Sequence, residues 1–401
     1  MRASDRGPAP SEAWALRRRG SLRAAALFVM VAWPACPASA ADAASPEPPR
    51  SQAEAVAIAE QLARGVGPGQ PSGSVDQAAL AAAADRLAVV PADWILPCLP
   101  AIGLATPAGG NWLRTGLERA VERAGDGLSI DDLAMVVTDR RRPARVRSLA
   151  YGWLRDRAAP RAEALLDGML DDPALDLRRD AVEKRLVAAE SAEETARRDE
   201  YRRCLAAARD VDQIERIAGW LSEHGDKVDI AAVLGFVREW RVSEAFDNTR
   251  GVGFAKAYPP EASLPAPPET SGWTRVESAD RHGAIDLNAA IATKKGVLAY
   301  AVADVRMAEA GTAEVRIGSP CAVAVWVNGL PVMAHEIYHA SEAIDQYVAA
   351  ATFRAGPNTV LVKCCQNEQT EPWAADWKFQ LRICDAVGSP LATQPATPSP
   401  P

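Results

Sequence analysis

Cysteine is scarce in this sequence relative to its length. The chain has seven cysteines in 401 residues, and their spacing does not form the framework that staples small secreted domains. A disulfide scaffold is therefore excluded as the basis of the fold. Buried free thiols are the expected state of these cysteines, because unpaired cysteine behaves as a small apolar side chain.

Long apolar runs are missing as well. The run from Ala24 to Trp33 falls well short of the roughly 20 residues that a membrane-spanning helix needs. Basic residues at Arg17–Arg19 and Arg23 precede this run, and the small residues Ala38–Ala40 follow it. That order predicts a secretory signal peptide over residues 1–40, with an uncleaved anchor as the alternative. We therefore expect export to the periplasm, the cell surface or the extracellular medium, with no integral membrane span after signal cleavage.

Common catalytic fingerprints are also absent. The sequence has no G-x-S-x-G motif, no P-loop and no dinucleotide fingerprint between a strand and a helix. Its formal net charge is −7, and loss of the arginine-rich signal peptide makes the remaining chain more acidic. An acidic chain is a poor match for nucleic acid or for anionic membrane surfaces. The sequence therefore favours a non-catalytic protein with no cofactor and no nucleic-acid partner.

The first half of the chain has helical periodicity. Residues 41–74 are rich in Ala, Pro, Ser and Gly and predict a low-complexity spacer that contains one short helix, Gln52–Gly65. Residues 75–233 place apolar side chains three and four positions apart, which predicts helices. Within them, Arg145–Ala189 is similar to one HEAT-type repeat, with a turn at Asp171–Pro173. A solenoid needs about three such repeats, so we predict a helical, HEAT-like domain over residues 75–233.

The hydrophobic period changes near Gly235, and short strand patterns follow. Asn328-Gly329 lies between two apolar runs, which is a strong hairpin signal because both turn residues need φ > 0. Short strands with Gly, Pro and Asn between them predict an all-β jelly-roll sandwich over residues 234–388. The Pro-rich residues 389–401 are predicted to be a disordered tail. The predicted strands are Phe236–Phe246, Trp273–Val276, Ala284–Leu287, Val297–Val305, Ala313–Gly318, Ala322–Val327, Leu330–Met333, Gln346–Phe353, Thr359–Cys365 and Trp377–Asp385.

Alternation along two of these strands assigns side chains to the two faces of a sheet. Lys363 is expected to face water, which directs Cys364 towards the core and Cys365 outward. In the last strand the large apolar side chains point inward, so Cys384 points outward. Cys365 and Cys384 are therefore expected on one face, and a disulfide between them is left open.

Four runs in the second half stand out together: A-V-W-V-N-G at Ala324–Gly329, I-D-Q-Y at Ile344–Tyr347, A-G-P-N-T-V-L-V-K at Ala355–Lys363, and W-K-F-Q-L-R-I-C-D at Trp377–Asp385. These runs resemble galactose-binding-like β-sandwich modules. The order of a HEAT-like helical region and such a sandwich resembles a group of secreted bacterial proteins. The resemblance implies a module that often binds carbohydrate and in other cases only packs beside another domain, since a fold does not determine a function.

The residues from His335 to His339 match the H-E-x-x-H motif. On a helix, that spacing places two imidazoles on one zinc ion, with Glu336 as the base and Glu342 as a candidate third ligand. However, only five residues separate the Asn328-Gly329 turn from His335, the metzincin continuation is absent, and the motif falls where the sandwich predicts a loop. A surface loop is therefore favoured, and a zinc metallopeptidase is the alternative.

Trp373 is predicted to lie in a loop, with Asn367 and Gln369 beside it. Sugar recognition places an aromatic face under the ring, while amides and carboxylates bond to the hydroxyls. Asp345 and Gln346 are candidates for contacts with the same ligand. The competing interpretation is that Trp373 caps one end of the sandwich and that Asp345 and Gln346 simply begin a strand.

The sequence thus predicts an exported, non-catalytic binding protein. Its sandwich is expected to recognise a polysaccharide or an envelope protein, and its helical half is expected to carry that module. Two alternatives remain: a zinc metallopeptidase that uses the H-E-x-x-H motif, and a structural scaffold whose helical half binds a partner protein.

Overall fold

The structure is a computed structural model that describes residues 47–65, 76–266 and 268–394. The predicted signal peptide lies outside the described residues, as do part of the predicted spacer and the last seven residues of the predicted tail. The described chain consists of a helical region followed by an antiparallel β region. In these ranges, no helix combines the length and the apolar character needed to cross a membrane.

The helical region begins at residue 52 and ends at residue 234. Several helices start where a side-chain oxygen accepts a hydrogen bond from the first turn, as Ser51, Asp76 and Asp229 do. The first helix ends at Gly65, whose φ of 71° suits a glycine C-cap. The helices are α1 Gln52–Arg64, α2 Gln77–Leu87, α3 Ala92–Cys98, α4 Pro107–Ala124, α5 Ile130–Thr138, α6 Ala144–Leu165, α7 Leu175–Ala189, α8 Glu194–Ala207, α9 Val211–Glu223 and α10 Ile230–Leu234.

The helices bury their apolar faces in two cores: residues of α7 to α10 form one, and residues of α1 to α7 form the other. Helix α1 belongs to that core, because Ile58 and Leu62 are buried against α2, α3 and α4. Its contact with α4 is close: a Cβ at Gly109 would lie 2.3 Å from the Leu62 carbonyl oxygen. The segment predicted as a spacer, residues 41–74, therefore contains a helix of the folded region.

A buried ion pair joins the turn before α7 to α6. Both guanidinium Nη atoms of Arg147 donate to the two carboxylate oxygens of Asp172, at 2.7 and 2.6 Å. Arg147 Nε also donates to the Val137 carbonyl, and Asp172 accepts from the Ala174 backbone N–H. Neither side chain reaches solvent. The Asp-Asp-Pro turn that the sequence predicts is therefore held by its second aspartate.

The β region consists of two antiparallel sheets that pack face to face, which confirms the predicted helical region followed by a β-sandwich. The larger sheet has the strand order β3-β1-β5-β10-β7-β8, and β2 and β12 also pair with β5; the smaller sheet has the order β4-β11-β6-β9. The strands are β1 Glu239–Val242, β2 Phe246–Asp247, β3 Thr274–Glu277, β4 Ile285–Asp286, β5 Val297–Met307, β6 Gly311–Gly318, β7 Ala322–Val327, β8 Leu330–His335, β9 Tyr347–Phe353, β10 Gly356–Cys365, β11 Lys378–Cys384 and β12 Ala392–Thr393.

The predicted hairpin at Asn328-Gly329 joins β7 to β8. Both residues have positive φ, at 50° and 79°, as a two-residue hairpin turn requires. The core between the sheets contains Trp240 from the larger sheet and Phe379 from the smaller, whose rings meet edge to face with centroids 5.0 Å apart. Phe379 therefore points into the core, as alternation predicts for the last long strand.

The outer face of the larger sheet is not open to water. A covering segment, residues 247–264, contains the short helices α11 (Val252–Ala255) and α12 (Pro259–Ala262) and packs on that face. Lys363 is consequently 0% exposed. Its Nζ donates to the carbonyls of Phe254 and Lys256 at 2.7 and 2.9 Å, and to Glu261 Oε2 at 2.8 Å. The prediction that Lys363 faces water is wrong because a distant part of the chain covers it.

The cysteines of the described ranges are free and buried. Cys364 lies between the sheets and Cys365 lies under the covering segment. Cys384 belongs to β11 of the other sheet, so its outward direction is opposite to that of Cys365, and the two do not share a face. Burial raises the pKa of the Cys365 thiol to about 12 and that of the Cys384 thiol to about 11.

The end of the described chain is folded, although the sequence predicts a disordered tail from residue 389. Strand β12 pairs with β5, with Ala392 opposite Met307. The side chain of Gln394 then accepts hydrogen bonds from the backbone N–H groups of Arg238 and Glu239, at 2.8 and 2.9 Å. This segment therefore extends the larger sheet beside β1.

Contacts also join the helical region to the sandwich. Arg382 of β11 donates to the carbonyl of Leu234, the last residue of α10, at 3.1 Å. His282 Nε2 lies 2.8 Å from Glu215 Oε1 on α9.

The short helix α13, Leu287–Ala290, follows β4 at the edge of the smaller sheet.

Candidate binding site at one end of the sandwich

Several strand ends meet at one end of the sandwich. Cys365, the last residue of β10, pairs with Leu298 near the start of β5 and with Ala322 at the start of β7. His335, the last residue of β8, pairs with Val323. The loops that leave β8 and β10 therefore start beside one another, and they carry most of the residues that the sequence predicts for a ligand site.

Trp373 is the most exposed of the Phe, Tyr and Trp residues that the structure describes, with 63% of its surface exposed. It lies in a short 3-10 turn, Pro372–Ala374. The turn is anchored below by Ala374, whose carbonyl accepts a hydrogen bond from Lys295 Nζ at 2.7 Å. The indole is therefore presented to solvent by an anchored turn rather than used as a cap for the core.

A polar cluster lies next to this indole. The imidazole of His339 meets the Trp373 ring edge to face, with centroids 5.0 Å apart. His339 Nε2 lies 2.8 Å from Asn367 Oδ1, which also accepts from the Gln369 backbone N–H. Asn367 Nδ2 donates to Gln369 Oε1 at 3.0 Å. Because Asn367 Oδ1 is an acceptor, Nε2 of His339 is the nitrogen that carries the proton.

We define Trp373, His339, Asn367 and Gln369 as the Trp373 patch. The structure brings together three of the five residues that the sequence predicts for a ligand, and it adds His339. From the sequence, His339 is a candidate only in the alternative zinc motif, and no local signal indicates that its partner is Asn367.

A buried asparagine ties the two loops of the Trp373 patch together from below. Asn248 is fully buried, and its Nδ2 donates to the Tyr338 hydroxyl at 3.2 Å and to the Gln366 carbonyl at 3.0 Å. Glu368, between the two amides of the patch, accepts a hydrogen bond from the Arg250 backbone N–H. Asn248 and Arg250 both lie near the start of the covering segment, so that segment also supports the patch.

Asp345 and Gln346 are not part of the Trp373 patch. Asp345 accepts hydrogen bonds from Arg382 Nε at 2.7 Å and from Arg316 Nη1 at 2.8 Å. Burial opposes its ionisation, but the hydrogen bonds and charges of the two arginines outweigh burial and lower the pKa of Asp345. Gln346 accepts from the Ser319 backbone N–H at 3.0 Å. Both residues hold the loop before β9 against the smaller sheet.

The H-E-x-x-H residues do not lie on a helix. His335 ends β8, and its ring stacks on Tyr347 with centroids 3.9 Å apart, whereas His339 lies in the following loop beside Asn367. Glu342 forms an ion pair with Lys378 Nζ at 2.8 Å. In the part of the chain that the structure describes, no group of three or more His, Cys, Asp or Glu side chains is placed to hold a metal ion. The helical geometry that the zinc hypothesis requires is therefore not formed.

Comparisons with known proteins assign no function to this site. No protein-family model matches the chain, and no curated protein matches it. The resemblance to galactose-binding-like modules stays a prediction. The chemical argument depends on the Trp373 patch itself, where an exposed indole, two amides and an imidazole share one surface.

Proposed function

We propose that this chain is an exported, non-catalytic binding protein whose sandwich recognises a polysaccharide through the Trp373 patch. The observation that supports this proposal is the 63% exposure of Trp373 beside a polar cluster. Tryptophan is on average a highly buried residue, so an anchored turn that presents its indole to water favours a ligand that covers it. The helical region serves as the support of this module.

The chemistry of the Trp373 patch suits a sugar ring. An indole face offers apolar area to the C–H groups of a pyranose while its polar surroundings remain hydrated. Gln369 is exposed, and an amide can both donate to and accept from sugar hydroxyls. Beside the indole, the imidazole of His339 and the amide of Asn367 restrain each other, because His339 Nε2 bonds to Asn367 Oδ1.

The surface is open rather than enclosed, so few ligand atoms are buried on binding. Modest affinity per site is therefore expected, because affinity depends on well-packed and desolvated anchors rather than on area alone. A polymer with repeated units compensates for modest affinity when several copies of the chain bind one strand. This argument favours a polysaccharide over a small free sugar.

The test is co-sedimentation of the purified chain with a panel of insoluble polysaccharides, with Trp373→Ala as the variant. Leu104→Ala is the matched control, because Leu104 is an apolar side chain with 76% exposure on the helical region. We expect retention of the wild type and of the control, and at least about tenfold weaker retention of Trp373→Ala. If no polysaccharide retains the wild type, or if the three proteins are retained equally, the proposal fails.

A further inference from the structure

In the described residues, the two sheets end in four edge strands, β3, β8, β4 and β9. Three of them carry recognised protection against pairing with another chain. Strand β3 contains the charged residues Arg275 and Glu277, and β4 has only two residues. Strand β8 contains Pro331, and its pairing with β7 shifts register between Val325 and Trp326. Strand β9 has none of these features.

Strand β9 is long, uncharged and regular. Its sequence from Tyr347 to Phe353 is Y-V-A-A-A-T-F, without a charged residue or a proline. It pairs with β6 in one unbroken register from Tyr347 opposite Ile317 to Phe353 opposite Gly311. No strand of the described chain pairs with its other edge. At about 3.4 Å per residue, this edge is about 24 Å long, and its first residue, Tyr347, also stacks on His335 of β8.

The strand is also self-complementary about its central residue, Ala350. In an antiparallel pair of two β9 strands with the two-fold axis at Ala350, Tyr347 lies opposite Phe353, Val348 lies opposite Thr352, and Ala349 lies opposite Ala351. Aromatic pairs and β-branched pairs stabilise antiparallel neighbours, and no like charges face each other. Such an axis stands perpendicular to the sheet, so buried side chains stay on the inner face in both copies.

We propose that β9 is a dimerisation strand and that its partner is β9 of a second copy of this chain. Antiparallel pairing would join the two smaller sheets into one continuous sheet through an isologous interface, in which each copy uses the same surface. The exposed outer-face residues Val348, Ala350 and Thr352 would then form a continuous uncharged row across the junction. This association is independent of the Trp373 patch.

The expected dimer is weak and reversible. A single strand of seven residues offers far less than the roughly 800 Å² per partner that a standard stable interface buries. Main-chain hydrogen bonds and the cross-strand pairs supply most of the attraction. The dimer is therefore expected to form at protein concentrations on the order of 100 µM and to dissociate on dilution.

The first test is analytical ultracentrifugation of the full chain over a range of concentrations. We expect the average mass to rise from that of one chain towards that of two. In Ala350→Lys, two ammonium groups would meet at the axis, so we expect at least about tenfold weaker association. Thr312→Lys is the matched control, because Thr312 is exposed on the neighbouring strand β6 and lies opposite Thr352 rather than at the edge. Circular dichroism verifies the fold of each variant.

The second test fixes the register. In Ala350→Cys, paired positions across the axis would have Cα atoms about 4.5–5.5 Å apart, within the range that a disulfide spans. Oxidised glutathione would accept two electrons and two protons from the two thiols and become two reduced glutathione molecules, leaving one disulfide between the copies. In Val348→Cys, the two thiols would lie about 14 Å apart along the strands, so no cross-link is expected.

The proposal is overturned by any of three results. The wild type could remain a monomer throughout the concentration range. This result would also be seen if β9 paired only with a peptide of another protein. Ala350→Lys could associate as strongly as the wild type, or the two cysteine variants could cross-link equally well. Concentration-dependent dimers that weaken only in Ala350→Lys and cross-link only through Ala350→Cys would support it.

Discussion

Replacement of Lys363 by methionine tests the most unexpected feature of the sandwich, its buried ammonium group. Lys363→Met keeps most of the side-chain volume and removes the charge. The change leaves the carbonyls of Phe254 and Lys256 without their donor, and it leaves Glu261 without its cation. The Tyr300 hydroxyl, at 2.7 Å, continues to donate to Glu261.

The expected destabilisation follows from the burial of the two partners. Removal of one partner of a buried ion pair costs about 3–5 kcal/mol. Glu261 keeps 20% of its side-chain exposure, so water can solvate part of the carboxylate that is left behind. We therefore expect the free energy of unfolding of the sandwich to fall by about 3 kcal/mol, at the lower end of that range.

Urea unfolding followed by far-ultraviolet circular dichroism measures this change. Lys294→Met is the control, because Lys294 is exposed in the loop before β5, and it should change stability by less than about 0.5 kcal/mol. The double variant Lys363→Met/Glu261→Gln should be more stable than Lys363→Met alone, since it removes the uncompensated charge. A loss below about 1 kcal/mol in Lys363→Met, or additive effects in the double variant, would refute the buried-pair reasoning.

Three further predictions concern other paired or buried groups. Arg147→Met should lower the free energy of unfolding of the helical region by about 3–5 kcal/mol, because the buried Asp172 loses both bonds from Arg147 and keeps the Ala174 N–H and, at 3.6 Å, Arg140 Nε. A loss near that of a surface variant in urea unfolding would contradict this. The pKa of Asp345 is lowered in the folded chain, so its contribution to stability is fully present above about pH 4 and is lost as the pH falls through the lowered pKa. The stability difference between wild type and Asp345→Asn should therefore shrink from pH 7 towards pH 2. A constant difference would argue against this. Burial raises the pKa of the Cys98 thiol to about 12 and that of Cys204 to about 11, so a thiol reagent at pH 8 should label these cysteines only after unfolding; fast labelling of the native chain would show that they are accessible.

Local signals predicted the strands of the sandwich well. The bounds of β7, Ala322–Val327, agree between prediction and structure, because an alternating apolar run ends at a turn that requires positive φ. The strands β5, β6, β9 and β10 differ from their predicted bounds by one to three residues at one end, and β11 differs by one residue at each end. Alternation also assigned Cys364 to the core correctly.

Features that depend on distant parts of the chain were not predictable in this way. Lys363 has the alternation of an outward-facing residue, and only the covering segment, about a hundred residues earlier, buries it. Helix α1 lies in a composition typical of a spacer, yet its apolar face packs on α4. In the same way, the sequence places Asp345 near a ligand, whereas two arginines from β6 and β11 hold it.

The candidate site was predicted in part. Trp373, Asn367 and Gln369 lie close together in sequence, so their proximity could be inferred from one loop. His339 could not be assigned to them, because its position depends on the loop after β8 and on its bond to Asn367. The same H-E-x-x-H sequence can fall on a helix or at the end of a strand. Here β8 extends as far as His335.

The central claim is that a polysaccharide covers Trp373, and hydroxyl-radical footprinting read by mass spectrometry tests it most directly. The wild-type chain is oxidised with and without a polysaccharide that retains it, and the oxidation of Trp373 is compared with that of Leu104 in the same sample. We predict that the polysaccharide protects Trp373 and leaves Leu104 unchanged. Equal oxidation of Trp373 with and without the bound polysaccharide would contradict the account.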